Sequence, residues 1–445
     1  MSATPPSESA PLLPDVERAK PEPTKRIRAV IHAALSVIFV LTLVLVLFFL
    51  DDGISGSWLS GQLPKDPILA AQEVLKVAPV IDGHIDLPWL VRAAYANNAT
   101  AIDLESRMPG HVDIQRLKEG HVGGFFWSVY TSCPRDAGYD PDGDFVNSTW
   151  SVRDTLEQID VARLLIDKYP DVFELTLTAA EVRSAIGRGK IASLLGVEGA
   201  HQLGNSIGVL RQYYSLGVRY MTLTHTCHNA FADSCGLFDG IEPLHGGLST
   251  LGRALVPEMN RLGMLVDISH TSDATALEAI SVSRAPVMWS HSSARTLRDI
   301  PRNVPDSVLG KIGDESEGKK DGIIMVNFYP AFVHDSGEAD VSVIADHVEH
   351  IANVTGKKHV GFGSDYDGIN TVPKGLEDVS KYPVLVAELY RRGWSKLELS
   401  GLTGGNMLRV LEGAERVKEE MRREGVQPAA DLYDKRPDLP IKEEL

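Results

Sequence analysis

Short apolar runs that end in acidic or imidazole side chains are the features of this sequence most able to do chemistry. The first run ends in Asp82-Gly83-His84-Ile85-Asp86. Side chains alternate along a strand with period two, so His84 and Asp86 point to the same side. An imidazole and a carboxylate placed in this way can share one metal ion. A His–Asp hydrogen bond is the simpler alternative for this pair.

Three later runs end in donors of the same kind, namely Glu198, His270 and His291. A carboxylate that ends a buried strand is costly unless it is paired, and a Glu can bridge two metal ions. A single buried His is more often structural, but two on nearby strands beside these carboxylates favour a metal centre. The set has no thiolate, which suits zinc, with manganese or cobalt as substitutes. His201 is one further candidate.

The elements that must position these residues form a regular series between residues 66 and 420. Eight apolar runs of strand length alternate with helical patterns, such as Ser151–Lys168 and Thr250–Leu262. The runs are Val80–Asp86, Gly123–Tyr130, Ile191–Glu198, Val218–His225, Met264–His270, Pro286–His291, Ile323–Phe328 and His359–Asp365. This alternation predicts an α/β fold, a (β/α)8 TIM-type barrel, although an open doubly wound sheet has the same local pattern.

In a barrel, the carboxyl ends of all strands meet at one face, where active sites are built. Six of the eight runs end in His, Asp or Glu, and the sequence therefore predicts that these side chains meet in one cup. They are Asp86, Glu198, His225, His270, His291 and Asp365.

The segment Ala29–Leu50 has the length and composition of a membrane-spanning helix. Three basic residues precede it and two aspartates follow it, so the positive-inside rule predicts a single-pass type II protein with its N-terminus in the cytosol. A cleaved signal peptide and a buried core helix are the alternatives, and the length of the run favours an uncleaved anchor.

This topology predicts five parts of the chain. They are a disordered cytosolic tail (1–28), a transmembrane signal-anchor helix (29–50), a stalk (51–65), a globular domain (66–420) and a charged C-terminal tail (421–445). The last four residues, Lys-Glu-Glu-Leu, resemble an endoplasmic-reticulum retention signal, except that Glu443 stands where that signal has Asp.

The net charge and several short motifs limit which partners and which cellular compartment are expected for this chain. The net charge of −16 argues against nucleic acid as a partner. Sequons at Asn98, Asn147 and Asn353 agree with a lumenal or extracellular domain, where each would be glycosylated, although such short motifs also arise by chance. Three cysteines are too few for a disulfide scaffold and allow one bridge and one free thiol.

Eight motifs, in this order, resemble those of the membrane (renal-type) dipeptidase family over roughly residues 70 to 415, and the order makes the resemblance specific. They are His84-Ile85-Asp86, Val197-Glu198-Gly199-Ala200-His201, Thr222-Leu223-Thr224-His225, Asp267-Ile268-Ser269-His270, Ser290-His291-Ser292-Ser293-Ala294, Arg302-Asn303-Val304-Pro305-Asp306, Met325-Val326-Asn327-Phe328-Tyr329 and Gly361-Phe362-Gly363-Ser364-Asp365-Tyr366-Asp367-Gly368. The family belongs to the barrel-type metal-dependent amidohydrolases, in agreement with the strand pattern.

The resemblance implies a binuclear zinc site that hydrolyses the peptide bond of dipeptides. Glu198 would bridge two zinc ions, with His84 and Asp86 completing one site and His270 and His291 completing the other. The expected reaction is attack on the peptide carbonyl by a hydroxide that bridges the two ions.

The resemblance also implies roles around the substrate. His225 would contact the substrate and stabilise the oxyanion, and Asp365 would act as the general acid and base. Arg302 would bind the C-terminal carboxylate of the dipeptide, for which a guanidinium is well suited, and Tyr329 would help to hold the substrate.

Two further features follow from the resemblance. Cys133 and Cys227 match a disulfide of the family and leave Cys235 without a partner, and a homodimer is compatible with the family. Vertebrate members of the family look to be attached to the membrane by a C-terminal glycolipid. In this chain the N-terminal helix would be the membrane anchor instead.

Two other functions are compatible with parts of the pattern. A related amidohydrolase could act on N-acyl amino acids or lactones at the same site. A non-catalytic receptor or scaffold could keep the barrel, but such proteins usually lose metal ligands, and here the complete set is present.

Overall fold

The computed structural model describes residues 63–133 and 149–435, together with Val30, residues 32–40 and Thr42. The chain separates into two compact units, Met1–Leu63 and Pro64–Leu445. In the first unit, Val30 and residues 32–40 are helical. Among the described residues, no helix is both long enough and apolar enough to cross a membrane. Half of the predicted anchor Ala29–Leu50, together with the whole cytosolic tail and most of the stalk, lies outside the described residues.

The second unit is built on parallel strands arranged in the order β1-β2-β4-β5-β6-β7-β8-β9, with β3 paired to β4 beside this path. The strands are β1 (Val80–Ile85), β2 (Val122–Val129), β3 (Phe173–Leu175), β4 (Ile191–Glu198), β5 (Val218–Thr222), β6 (Leu265–Asp267), β7 (Val287–Trp289), β8 (Gly322–Val326) and β9 (Val360–Phe362).

Helices connect and cover these strands. They are α1 (Pro67–Leu75), α2 (Leu87–Tyr95), α3 (Ile114–Glu119), α4 (Thr149–Lys168), α5 (Ala179–Gly187), α6 (Ile207–Ser215), α7 (Thr250–Leu262), α8 (Asp273–Val282), α9 (Asp306–Leu309), α10 (Pro330–Val333), α11 (Val341–Thr355), α12 (Tyr382–Arg391), α13 (Lys396–Ser400) and α14 (Asn406–Arg423). A π-helical turn, Gly401–Gly405, joins the last two.

The first and last strands approach each other and almost close the barrel. The backbone N–H of Asp86 donates to the carbonyl of Tyr366 at 2.8 Å, and that of Asp365 donates to the carbonyl of His84 at 3.0 Å. This contact confirms the predicted α/β barrel, as a near-closed parallel barrel, and excludes the open doubly wound alternative, in which the two edges lie far apart.

The buried carboxylate of Asp82 strengthens this closure from inside the protein. Its oxygens accept hydrogen bonds from the backbone N–H of His84 at 2.8 Å and of Ser364 at 3.1 and 3.2 Å. The hydroxyl of Tyr382, on α12, donates to the same group at 2.5 Å. Burial raises the pKa of Asp82 to about 6, and these donors oppose that rise. One side chain therefore links β1, the segment after β9 and an outer helix.

All eight predicted runs correspond to strands of the barrel, but several strands end earlier than predicted. β5 ends at Thr222, β6 at Asp267 and β9 at Phe362, each three residues before the polar residue that was expected to end it. His270 and Asp365 have φ of 62° and 67°. This left-handed backbone cannot continue a strand, so the polar residues occupy the first turns of the loops.

β3 is the strand that the sequence pattern missed. It pairs with the first half of β4, at Ile191 to Ser193, whereas β5 pairs with the second half from Leu195 onward. Three residues are too few to give a periodic signal. The predicted helix Thr250–Leu262 is confirmed with its ends, because the Ser249 hydroxyl accepts from Gly252 N and Gly263 adopts φ 77°.

The globular unit extends slightly beyond its predicted C-terminal boundary at residue 420. The last helix, α14, ends at Arg423, and Met421 packs in the core at 3 % exposure. Residues 436–445, which include the Lys-Glu-Glu-Leu end, lie outside the described residues.

Gly196 on β4 permits the close approach of the Tyr220 ring, whose hydroxyl contacts His84. It pairs in register with Tyr220 of β5, and a Cβ at residue 196 would lie 2.1 Å from the Tyr220 ring. The ring could not keep its place beside any larger residue, because buried atoms at that distance must move apart.

We therefore expect Gly196→Ala to destabilise the protein by roughly 1–3 kcal/mol, the usual effect of overpacking a buried site. Gly187→Ala is the matched control, because nothing lies within 4 Å of a Cβ built at that glycine. Thermal unfolding of the two variants measures the difference. Equal midpoints would show that the Gly196–Tyr220 contact is not tight.

Candidate metal centre

The predicted metal ligands come from four separate parts of the barrel and meet at the carboxyl ends of its strands. His84 lies in β1, Asp86 follows that strand, and Glu198 is the last residue of β4. His270 follows β6 by three residues and His291 follows β7 by two. Parallel strands end on one face of a barrel, which explains how residues more than 200 positions apart become neighbours.

The imidazole nitrogens converge on one carboxylate oxygen, Oε1 of Glu198. The Nε2 atoms of His270, His291 and His84 lie 3.1, 3.2 and 3.6 Å from it. His84 Nε2 also lies 3.3 Å from Oδ2 of Asp86. Each of the five side chains belongs to a residue that is at most 5 % exposed. The five donors therefore form a single cluster that is shielded from bulk water.

The donor set fits a pair of metal ions. Two groups of three have their donor atoms within 4.8 Å of one another and share Glu198: His84, Asp86 and Glu198 form the first, and Glu198, His270 and His291 form the second. His84 Nε2 and Asp86 Oδ1 are buried without a hydrogen-bond partner. Buried polar atoms are normally satisfied, so these atoms indicate a missing cationic partner.

The electrostatics of the cluster favour a cation in the same place. Burial alone would raise the pKa of Glu198, but His84 and His225 hold it well below its usual range. Burial lowers the pKa of both His270 and His291, so these rings are neutral and keep a lone pair. Ionised carboxylate and neutral imidazole are the forms that bind metals.

His84 and Asp86 attract a proton strongly. Burial lowers the pKa of His84, but the oxygens of Tyr220, Asp86 and Glu198 outweigh it and raise the pKa well above its usual value. Burial raises the pKa of Asp86 to about 7, against the opposing effect of His84. The negative charge of these buried oxygens favours a proton, and it favours a divalent cation in the same way.

A cavity of about 370 Å³ opens above the cluster, and it contains the predicted substrate residues His225, Tyr329 and Asp365. Its wall is formed by Asp86, Trp89, Tyr130, Glu198, His225, Thr226, Leu237, His270, His291, Tyr329, Phe332, Asp365, Gly368, Ile369 and Asn370. The wall thus includes four of the five candidate metal donors, all except His84, together with aromatic and aliphatic side chains. A cavity of this size admits a small ligand, with its reacting atoms held against the donors.

His225 is placed to donate a hydrogen bond into the cavity. Its Nε2 lies 3.8 Å from Oε1 of Glu198, and its Nδ1 lies 3.1 Å from the hydroxyl of Thr226. Burial lowers the pKa of His225 to about 4. The ring is therefore neutral at physiological pH, with one N–H available as a donor.

Asp365 is held by a neighbour that sequence reasoning missed. The amide of Asn327 donates to Oδ2 of Asp365 at 2.8 Å, and the amide oxygen accepts from Tyr329 N at 2.6 Å. The second contact fixes which end of the amide faces Asp365. Burial opposes ionisation of Asp365, but His291 and His84 outweigh it and lower its pKa. A Cβ at Gly368 would lie 2.8 Å from Oδ1, so only a glycine allows this approach.

Arg302 does not line the main cavity. It lines a narrow cleft beside it, and His270 borders both. Its Nη atoms donate to the hydroxyl of Ser292 and the carbonyl of His291 at 2.8 and 2.7 Å, while its Nε has no partner. Within the described ranges, no carboxylate lies at ion-pair distance from this guanidinium, which is 3 % exposed. Arg302 is thus a buried cation whose charge is not neutralised by direct contact.

The disulfide between Cys133 and Cys227 is present, as predicted. It joins the loop after β2 to the loop after β5, two residues beyond His225. Cys235 is a buried free thiol, and burial raises its pKa to about 11.

His201 is buried too, with Nε2 at 2.9 Å from the carbonyl of Thr131, and it lies outside both metal groups that contain Glu198.

Two of the three predicted glycosylation sites fall on described residues. Asn98 and Asn353 are exposed, and glycosylation at both stays a prediction. Asn147 lies outside the described residues.

Trp89 and Tyr130 line the cavity but have no polar signature that would select them from sequence. Their rings pack edge to face at 5.1 Å, and Tyr130 also contacts the ring of His225 at 4.7 Å. Trp89 stands three residues after Asp86 at the start of α2. That proximity to a metal ligand is the one local signal that could have found it.

Comparisons with known proteins show the family to which the chain belongs. The model of the membrane dipeptidase family, peptidase family M19, matches residues 69–425. The chain is 47 % identical over 352 residues to an uncharacterized dipeptidase of Schizosaccharomyces pombe, covering 78 % of this chain and 84 % of the relative. It is 45 % identical over 365 residues to the dipeptidase aclJ of Aspergillus oryzae, covering 81 % and 83 %.

A solved structure shares the fold. The metallopeptidase of Rhodobacter sphaeroides, bound to a phosphinate mimic of the dipeptide L-Ala-D-Ala, superimposes with a TM-score of 0.66. It is 27 % identical and covers 75 % of this chain and 99 % of its own. With the family model matched over most of the globular unit, the chain belongs to the membrane dipeptidase family of metallopeptidases, family M19.

Proposed function

We propose that this metallopeptidase hydrolyses the peptide bond of dipeptides with two zinc ions. His84 and Asp86 would hold one ion, His270 and His291 the other, and Glu198 both. The observation that carries the proposal is the sharing of the Glu198 carboxylate by two buried groups of three donors. The N and O donor set suits zinc, and the S. pombe, A. oryzae and R. sphaeroides relatives support a dipeptide as substrate.

Two zinc ions in this site would act as Lewis acids on the peptide carbonyl and lower the pKa of a bound water toward neutrality. The residues of the chain supply the remaining chemistry. The neutral ring of His225 donates an N–H to the carbonyl oxygen as negative charge develops on it. Asp365, a carboxylate at neutral pH, takes a proton from the attacking water and passes it to the departing amine nitrogen.

Asn327 makes Asp365 effective in this exchange. Its amide occupies Oδ2, so Oδ1 is the oxygen left to carry the proton. The hydrogen bond also holds the carboxylate in one rotamer, which reduces the reorganisation needed during the reaction.

Arg302 would bind the free carboxylate of the substrate's C-terminal residue. A buried guanidinium without a counter-ion is costly, and an anionic substrate group would neutralise it. The side chain lies beside His270, close to the cavity although outside its wall.

Zinc should stabilise the folded protein, because the donors converge only in the folded state. After removal of metal by a chelator, adding zinc should raise the midpoint of thermal unfolding, with about 2.7 kcal/mol of stabilisation at 100-fold excess over Kd. Glu198→Gln should lose most of this shift. Glu174→Gln, on a partly exposed residue paired with Arg188, should keep it. A midpoint that zinc leaves unchanged in the unsubstituted chain would contradict the proposed metal centre.

Asp365→Asn should keep both metal ions but lower kcat roughly 100-fold or more, because the amide cannot accept the proton. Zinc content and turnover of Gly-Leu, measured on one preparation, separate the two effects. Asp335→Asn serves as a control, since that side chain is 80 % exposed. Near-normal turnover by Asp365→Asn would show that another group transfers the proton.

A free carboxylate on the substrate should matter if Arg302 binds it. We expect kcat/KM for a dipeptide to exceed that for its C-terminal amide by about 30-fold or more, the effect of losing a buried charge pair. Arg302→Met should remove most of that preference. Equal rates for the two substrates would refute the role of Arg302, and rapid hydrolysis of a lactone without a carboxylate would favour the related amidohydrolase function.

A further inference from the structure

We propose that Asp267 and Ser290 form a hydrogen-bonded relay that fixes the tautomer and ring orientation of His291. The inference rests on the proposed function, in which His291 holds one of two metal ions. Neither Asp267 nor Ser290 reaches the cavity. Both would act through His291, as positioning residues.

Asp267 is the last residue of β6 and is fully buried. Its two oxygens accept hydrogen bonds from three residues on neighbouring elements. Thr222 Oγ1 and Ser290 Oγ each donate to Oδ2 at 2.6 Å. The backbone N–H groups of Ser290 and Ser269 donate to Oδ1 at 2.8 and 3.1 Å, and Ser269 Oγ donates at 3.0 Å.

Asp267 has hydrogen-bond donors around it but, in the parts of the chain that the structure describes, no cation at ion-pair distance. In all five of its side-chain hydrogen bonds, Asp267 is the acceptor. Charge-assisted bonds of 2.6 Å are short and strong, so the hydroxyl hydrogen of Ser290 is directed at Oδ2. The more distant Ser269 hydroxyl, 3.3 Å from Ser290 Oγ, competes poorly for it.

The direction of that bond determines where His291 carries its proton. Ser290 Oγ lies 2.8 Å from Nδ1 of His291. Since the single hydroxyl hydrogen points to Asp267, the oxygen can only accept from the ring, and Nδ1 must carry hydrogen. A neutral imidazole has one N–H, so Nε2 keeps its lone pair. That nitrogen lies 3.2 Å from Glu198 Oε1, on the side where the metal donors meet.

The other two imidazoles in the cluster lack this arrangement. Nδ1 of His84 faces the hydroxyl of Tyr220 at 2.8 Å, and Nδ1 of His270 is buried without a partner. A ligand held by a carboxylate through its second nitrogen is a better-oriented donor. The relay should therefore affect the ion held by His270 and His291 and leave the ion held by His84 and Asp86 largely unchanged.

The test compares Ser290→Ala with Thr222→Val. Each variant removes one hydroxyl that donates to Asp267 Oδ2 at 2.6 Å, and each replaces a fully buried side chain with an apolar one of similar size. Only Ser290→Ala also removes the partner of His291. If these hydroxyls were merely structural, both variants would melt at a lower temperature and would release zinc at the same rate.

Release of zinc from the loaded full-length protein into excess chelator, followed by a colorimetric zinc indicator, is the measurement. We expect one of the two ions to leave Ser290→Ala about 10- to 100-fold faster than it leaves the native chain, while Thr222→Val resembles the native chain. The absorption spectrum of the cobalt-substituted protein should change in Ser290→Ala alone.

Native release rates in Ser290→Ala would overturn the relay, and so would equal acceleration of both ions or an equal effect in Thr222→Val. A native chain that binds fewer than two zinc ions would instead overturn the proposed function on which the inference rests. If Ser290→Ala does not fold, Ser290→Cys replaces it, because a thiol fills the space but is a weak donor and acceptor.

Discussion

Five buried donor side chains, brought together at one end of the barrel, set the main physical demand on this fold. Carboxylate and imidazole groups lose their hydration when they are brought together at the end of a barrel, and that loss must be offset. Inside the cluster, the imidazoles of His84, His225, His270 and His291 all lie within 3.8 Å of Glu198 Oε1 and hold its pKa down against the effect of burial. The proposed pair of divalent cations would satisfy all of these groups at once.

The barrel keeps this arrangement in place through a second layer of buried polar groups beneath the donors. Asp82 links the first strand to the segment after the last, and Asp267 links three consecutive strands. Neither carboxylate faces the cavity, yet each is within three residues of a metal ligand in sequence. These contacts hold the backbone at His84 and at Ser290, which helps to position the metal ligands His84 and His291.

The sequence predicted the barrel and the meeting of the candidate donors at one end of it, because both leave local signals: an apolar run has strand length, and a His or Glu at its end is conspicuous. Asp267 lies within such a run, but nothing local separates a carboxylate that binds hydroxyl groups from one that binds metal. The orientation of Asn327 and the cleft that holds Arg302 depend on distant segments, so no local pattern encodes them. The three-residue strand Phe173–Leu175 is too short for periodicity to show. The predicted membrane anchor stays a prediction.

The proposed position of Glu198 between two metal ions can be tested by anomalous X-ray scattering from crystals of the zinc-loaded protein, collected on either side of the zinc absorption edge. Two peaks about 3.5–4 Å apart are expected, one beside His84 and Asp86 and the other beside His270 and His291. A single peak, or zinc bound elsewhere while these donors stay empty, would contradict it.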